Sequence, residues 1–465
     1  MVDYKKTGFK CGIEIHQQLE GAKLFCKCPG VLSKNPKELF RRRMVAVAGE
    51  TDDVDVAAKY EGGLDKEFVY LGTEENTCLV EFDSEPPHEV NEHALNVALQ
   101  VAMMLKMELV DEIQIMRKTI INGSVTSGFQ RTMLIGRNGM LETSKGVVGI
   151  DIVALEEDAA RKIKEDSKRV YFNLDRLGIP LIEIATKPDI KDAEHANEVA
   201  EKLGMILRST GKVKRGIGTI RQDVNLSIKD GFRVELKGFQ DLRKMPKVIE
   251  KEILRHMKKR IKEPEVRRVN ADCSTTFLRP MPGSARMYPE TDVKSVLIDK
   301  KILGNVKIPE LISDKASKYE KEFGLKADYA RELIKRNISF EDFSDFDLDN
   351  NFMAKVLVEY PKELKSRFGL DVSKLSVGDF KKVFVLVKEE KISKGNVLDV
   401  LADIIKGDLN LKKYEGVSLD TLEDFVKKLV KEKKGLSMGA YMGIVMGKFK
   451  GVDGKKVAGM VKKYL

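Results

Sequence analysis

The stretch Asn173–Asp189, NLDRLGIPLIEIATKPD, places a carboxylate where a folded chain can least tolerate one. Its centre, Pro180–Ala185, is a short apolar run lying between Pro180 and Pro188, and it reads as a buried strand. Successive side chains of a strand point to opposite faces, so Leu181, Glu183 and Ala185 share one face and Ile182 and Ile184 the other. Burying an unpaired carboxylate is costly, so Glu183 is expected either to meet a cation or to be held neutral.

The same anomaly recurs. Gly12–Gln17 (GIEIHQ) puts Glu14 and His16 opposite Ile13 and Ile15. Ile220–Ile228 (IRQDVNLSI) sets Arg221, Asp223, Asn225 and Ser227 against Val224 and Leu226. Phe232–Leu236 (FRVEL) does so with Arg233 and Glu235, followed by Lys237. Leu155–Asp158 (LEED) closes the apolar run Val147–Leu155 and adds Glu156 or Glu157. Taken singly, these are the solvent faces of antiparallel strands, which alternate in this way. Glu183 argues against that, because its strand is otherwise apolar on both sides. If the faces converge, Glu14, His16, Glu156 or Glu157, Glu183, Asp223 and Glu235 form a carboxylate-rich pocket. Oxygen ligands with one histidine suit magnesium or manganese. Arg176, Arg221 and Lys237 would then neutralise phosphate, and the expected ligand is a metal–nucleotide complex.

The remainder of the chain sets the frame. Its 465 residues imply two to four domains, and a net charge of +10 suits an anionic partner as well as a merely basic soluble protein. No signal-like N-terminus and no run of about 18 apolar residues is present, so a cytoplasmic protein with no membrane segment is expected. Five dispersed cysteines read as reduced thiols. Cys26-x-Cys28 with Cys78 or Cys11 would complete a zinc site, although the usual CxxC pairs are missing. Phosphate-loop, HExxH, GxSxG and kinase catalytic-loop patterns are absent, and Gly216-Ile-Gly218 is too short for a dinucleotide fingerprint. Residues 1–292 read as an α+β domain on a mainly antiparallel sheet, with core helices near Ala94–Met107 and Ala193–Ser209. Residues 293–406 read as an all-helical domain. Residues 407–465 read as a basic helical tail, with Gly439 and Gly443 spaced to allow close helix contact and lysines that suit phosphates or simply water.

Longer strings carry a family resemblance: CGIEIHQQLEGAKLFC (11–26), FRRRMVAVAGETDDVDVAAKYE (40–61), TCLVEFDSEPPHEVNEHAL (77–95), RKTIINGSVTSGFQRTMLI (117–135), GTIRQDVNLSI (218–228), GFRVELKGFQDL (231–242) and RPMPGSARMYPETDV (279–293). Together they resemble the GatB/GatE family of tRNA-dependent amidotransferase subunits, and EIHQQL and FQRT favour its E-type, GatE. The tail string GAYMGIVMGKFKGVDGKKV (439–457) resembles the segment that the family shares with YqeY-like proteins. The resemblance implies a cradle-shaped catalytic domain followed by a helical domain and a tRNA-contacting tail. It implies ATP and Mg²⁺, with Glu14, His16 and Glu183 as the catalytic residues. The metal would be held by Glu14, His16, Glu156 or Glu157, Glu183, Asp223 and Glu235, and the nucleotide by Arg176, Arg221, Lys237, Ser127 and Gln130. The implied partners are Glu-tRNA(Gln), an asparaginase-like GatD protein that supplies ammonia, and a second copy within a heterotetramer. One departure stands out: the domain usually inserted before RPMPGSARMYPETD is missing, and only Lys262–Leu278 fills its place. A non-catalytic tRNA scaffold and a metallohydrolase on the same carboxylates are the competing readings.

Overall fold

The computed structural model describes residues 2–48, 54–239, 241–258, 261, 263–281, 287–336, 338–414, 419–449 and 454–465. Part of the RPMPGSARMYPETD string lies outside these residues. The segments with period-two alternation are strands: β1 (Lys10–Gln18), β2 (Ile115–Thr119), β3 (Phe129–Thr143), β4 (Gly146–Glu157), β5 (Pro180–Thr186), β6 (Ile220–Ser227), β7 (Val234–Lys237), β8 (Glu265–Val269), β9 (Thr275–Pro280) and β10 (Met287–Pro289). They form one sheet in the order β9-β8-β7-β6-β1-β5-β4-β3-β2-β10, and the short strand Glu108–Leu109 joins it beside β3. All its pairs are antiparallel except β7 with β8.

One face of the sheet is apolar because every second residue is Ile, Val or Leu. Ile13, Ile15, Val153, Leu155, Ile182, Ile184, Val224 and Leu226 are all buried. Helix α1 (Glu92–Met104) packs against β3 and β4, and α2 (Ala193–Ser209) against β1 and against α3 (Met245–Lys258). Each helix starts where its sequence allows: the Asn91 side chain accepts from Ala94 N, and the Asp192 side chain from His195 N. Burying such side chains on one face supplies about 1.5–3 kcal/mol apiece against an extended chain, which fixes the register of the whole sheet.

A smaller sheet of four strands, Lys37–Arg43, Glu67–Gly72, Arg169–Asn173 and Arg161–Glu165, encloses an aromatic core of Phe68, Tyr70 and Phe172. It delivers the chain into β5. Asn173 and Asp175 are wholly buried in the connecting turn, where Asn173 Nδ2 donates to Asp175 Oδ2 at 2.9 Å.

The chain divides into two compact units, Met1–Glu310 and Leu311–Leu465. The second is helical: α4 (Ile312–Phe323), α5 (Ala327–Lys335), α6 (Asn350–Phe368), α7 (Val377–Lys388), α8 (Val397–Lys406), α9 (Leu419–Glu432), α10 (Met438–Lys448) and α11 (Gly454–Tyr464). It holds separate cores, one around Tyr319, Phe340, Val383 and Phe384 and another around Val426, Tyr441, Val445 and Val461. A Cβ added at Gly439 or Gly443 would meet nothing within 4 Å, so these glycines do not seat a close helix contact among the described residues. No helix among them is long and apolar enough to cross a membrane.

Candidate active site

Residues directly opposite in an antiparallel pair share a face. Glu14 lies opposite Ala185 and Asp223, and His16 lies opposite Glu183 and Arg221. Leu181 faces Glu156, Glu156 faces Thr132, Lys118 faces Gln130, and Asn225 faces Glu235. One parity therefore runs across the strands from β2 to β7, on the face away from the apolar core. On this face lies a cavity of about 1260 Å³ lined by Glu14, His16, Lys118, Gln130, Glu156, Glu183, Arg221, Asp223, Glu235 and Lys237 among others.

The acidic groups are close. His16 Nε2 lies 3.2 Å from Glu14 Oε1 and 3.9 Å from Glu183 Oε2. Ligand atoms of Glu14, His16 and Asp223 fall within 4.8 Å of one another, as do those of His16, Glu156 and Glu183. His16 thus joins two sets that could each hold a cation. Lys118 Nζ bonds to Glu156 and lies 3.4 Å from Glu183 Oε2. Lys237 Nζ donates to Asp223 Oδ2 at 2.6 Å and also touches Glu235. Glu14, Glu156, Glu183, Asp223 and Glu235 thus crowd around two lysines, while Asp158, Asp241, Arg221, Arg233 and Arg279 also line the cavity.

This crowding shifts the protonation of the groups. Burial, and then the charge of Glu183, pushes Glu14 up to about 8. Burial and Glu183 also raise Glu156. Burial would raise Glu183 too, but Lys118 and a hydrogen bond with Glu156 outweigh it and hold Glu183 below its ordinary value. The pair divides its charge, with Glu183 the ionised member. Burial brings His16 down to about 4, so its imidazole is neutral near pH 7 and keeps a lone pair for a cation.

Three residues expected at the site lie elsewhere. Glu157 follows Glu156 along β4 and so faces the opposite way; its Oε2 accepts from Arg131 N at 3.1 Å and is 3.4 Å from Arg131 Nη1. The Arg176 guanidinium donates to Ala159 O at 2.7 Å and Ala160 O at 2.9 Å, bracing the turn after β4 instead of lining the cavity. Ser127 Oγ donates to Phe129 O at 2.9 Å and is spent on its own loop. Gln130 does face the cavity, and its Nε2 donates to Glu156 Oε2 at 3.1 Å.

Other residues enter unforeseen. Lys118 comes from β2, whose five residues are too few to display a period. Asp158 sits just past the end of β4, where Arg221 Nη2 donates to its Oδ1 at 2.8 Å and Gln18 Nε2 to its Oδ2 at 2.5 Å. It anchors Arg221 and is itself wholly buried; burial would raise it, but Arg221 and Arg176 bring it below its usual value. Its place in the LEED run was the available signal.

A second group lies apart from this cavity. Cys26, Cys28, Cys78 and Glu81 bring ligand atoms within 4.8 Å of one another, whereas Cys11 is not among them. Cys26 Sγ donates to Glu81 Oε1 at 3.0 Å, and the buried Lys23 Nζ lies 3.2 Å from the same oxygen.

Residues 9–304 match the GatB/GatE catalytic domain, and the chain belongs to that family. Its full-length relatives are of the E-type, so the chain is an amidotransferase component of that kind. The E-type component of the glutamyl-tRNA(Gln) amidotransferase of Archaeoglobus fulgidus is 36% identical, with all of this chain and 99% of the relative aligned. The protein of the same name from Methanosarcina barkeri is 33% identical over all of this chain and 98% of its own length. The one from Methanocaldococcus jannaschii is 33% identical over all of this chain and 99% of its own length. The M. barkeri alignment runs over 626 positions against a chain of 465 residues, so that relative carries sequence with no counterpart here.

Proposed function

We propose that this chain is the ATP-dependent component of a glutamyl-tRNA(Gln) amidotransferase, which phosphorylates the γ-carboxylate of the tRNA-bound glutamate and replaces the phosphate with ammonia. The observation that supports it best is the single sheet face on which Glu14, Asp223, Glu183 and Glu156 gather around His16 beside Lys118 and Lys237. A γ-carboxylate resists ammonia because it offers no good leaving group. Its oxygen attacks the γ-phosphorus of ATP, the bond to the β-phosphate oxygen breaks, and ADP leaves an acyl phosphate. Ammonia then attacks the acyl carbon, phosphate departs, and glutaminyl-tRNA remains.

The residues suit Mg²⁺. Buried carboxylates in excess of their lysine partners, with Glu14 pushed up to about 8, make a site short of positive charge, and the donors are hard oxygens plus one neutral imidazole. Glu14, His16 and Asp223, together with Glu156 and Glu183, would hold the ion, which screens phosphate charge when bound. The chain's own contribution is positional. Lys118, Lys237 and Arg221 offset the charge of the transferring phosphoryl group. Asp158 holds Arg221, and Gln130 holds Glu156. Glu235 lies beside Lys237 and sets its direction.

The cradle form, the YqeY-like, tRNA-contacting character of residues 407–465, a homodimer within a heterotetramer and a cytoplasmic location belong to the same reading. Ammonia comes from an asparaginase-like GatD protein, since no serine or cysteine nucleophile with its own base is legible in this sequence. Incubation with Glu-tRNA(Gln), ATP, Mg²⁺ and ammonium, followed by analysis of the esterified amino acid, tests the reading without the partner. Glutaminyl-tRNA is expected, and Glu183→Gln should lower its rate by about 100-fold or more. Full activity of folded Glu183→Gln protein would remove this residue from the mechanism.

A further inference from the structure

The cavity has a polar floor, but its rim carries an isoleucine in open water. Ile217 is 98% exposed, the highest value among the large hydrophobic residues described, and it lines the cavity with Gly216 and Gly218. Scattered surface hydrophobes are ordinary; this one is presented by a built turn. Gly216 has φ +120° and Gly218 φ +83°, and a Cβ at either would meet nothing within 4 Å, so the glycines serve backbone conformation rather than close packing. Thr219 Oγ1 closes the turn by donating to Gly216 O at 2.9 Å.

The base of the turn is clamped. The buried Gln17 donates from Nε2 to Lys214 O at 3.0 Å and to Thr219 O at 3.1 Å. Backbone bonds from Lys214 N to Gln18 O and from Gln18 N to Thr219 O, both 2.9 Å, tie it to the end of β1, two residues from His16. The tip is therefore held at a fixed place relative to the catalytic strand. Lys212 and Arg215 are exposed beside it, and Arg233 and Arg279 line the same cavity with Met281 and Met287.

A cationic rim with an apolar tip, set above an acidic floor, is complementary to the end of a polynucleotide: phosphates meet the cations, a base presents its face to the tip, and the esterified group reaches the floor. We infer that Ile217 packs against a terminal nucleobase at the 3′ end of the aminoacylated RNA and so helps to hold that end at the cavity. This rests on the proposed function. The near-complete exposure of Ile217 and the exposed cations Lys212 and Arg215 beside it suit a polyanion arriving from solvent, which assigns the tip to the RNA and not to the base of ATP.

The test is steady-state amide formation with ammonium, using Glu-tRNA(Gln) and ATP as the varied substrates. Ile217→Ser should raise KM for the charged tRNA by about tenfold, with KM for ATP and kcat at saturating tRNA unchanged within about twofold. Ile217→Leu should restore the wild-type KM. Binding supplies a second readout: removing the three 3′-terminal nucleotides from uncharged tRNA should weaken binding to the wild-type protein, and on the trimmed tRNA Ile217→Ser should bind as well as wild type. An unchanged KM for tRNA, a changed KM for ATP, or an equal effect of the substitution on trimmed tRNA would each overturn the assignment. Failure of the wild-type protein itself to make glutaminyl-tRNA would instead refute the proposed function.

Discussion

Glu156 and Glu157 are neighbours in sequence and strangers in space. Strand parity sends Glu156 into the cavity beside Lys118 and Glu183, and sends Glu157 to Arg131. Glu156→Gln keeps the side chain's shape and leaves Lys118 with Glu183 as a carboxylate partner, so it should leave stability nearly unchanged. Its effect should fall on the chemistry, with a loss of amide formation of about 100-fold or more. Glu157→Gln should do the reverse. It leaves the Arg131 guanidinium with Glu290 as its remaining carboxylate partner, costs about 2–4 kcal/mol of stability, and spares turnover below the melting range. Thermal melts and ammonium-dependent assays on both variants check this, and an exchange of the two phenotypes would reverse the parity. Glu183 was legible in the sequence because its strand is otherwise apolar on both faces, and Glu14, His16 and Asp223 because each alternates with apolar residues at a period of two. Lys118 was not, because no neighbour in its short strand marks its face, and Arg176 misled because a lone arginine carries no sign of which carbonyls it will brace.

At the scale of elements, the period of two located β1, β5 and β6 within a residue or two, and helical spacing located α1 and α2. Those signals are local. Strand order is not, and neither the parallel pairing of β7 with β8 nor the position of β2 two strands from β4 has a signature within the strands themselves. The far end of the sheet is instead fastened by α3. Glu252 on that helix is almost wholly buried and accepts from Arg255 Nη2 at 2.6 Å and from Thr275 Oγ1 of β9 at 2.8 Å, while the same Arg255 nitrogen reaches Glu265 Oε1 of β8 at 2.6 Å. Burial alone would raise the Glu252 carboxyl, but His256 at 3.3 Å and hydrogen bonds from Arg255 and Thr275 outweigh it and hold the group at about 2, against 4.5 for a free glutamate. A value lowered on folding stabilises the fold above the unfolded value. The contribution, about 3 kcal/mol, is therefore complete above roughly pH 4.5 and lost as pH falls toward about 2. Denaturation midpoints measured from pH 2.5 to 7 should show wild type well above Glu252→Gln at neutral pH, with the two converging in acid. A gap that stays constant across the range would mean that the carboxylate does not titrate with folding.

For the whole molecule, the described residues of the cavity all belong to the unit Met1–Glu310, and the unit Leu311–Leu465 closes its own cores. Tyr319, Phe340, Val383 and Phe384 are buried within residues of that second unit, and Tyr319 also donates its hydroxyl to Glu341 of the same unit. Several of its helices carry their own start signals. Asp349 accepts from Phe352 N at the head of α6, and Ser376 forms a reciprocal capping box with Asp379 at the head of α7. Local capping and an internal core are what a piece of chain needs to fold by itself. A fragment of residues 311–465 is therefore expected to show a helical circular-dichroism spectrum and cooperative urea unfolding. Phe384→Ala, which empties a wholly buried ring position, should cost the fragment about 3–5 kcal/mol. The same substitution in the full chain should lower the melting of this unit and leave ammonium-dependent turnover intact at temperatures where the unit stays folded, because no described cavity residue comes from it. A fragment that is expanded and binds hydrophobic dyes, with no cooperative transition, would show that its cores are not sufficient and that folding of the second unit depends on the first.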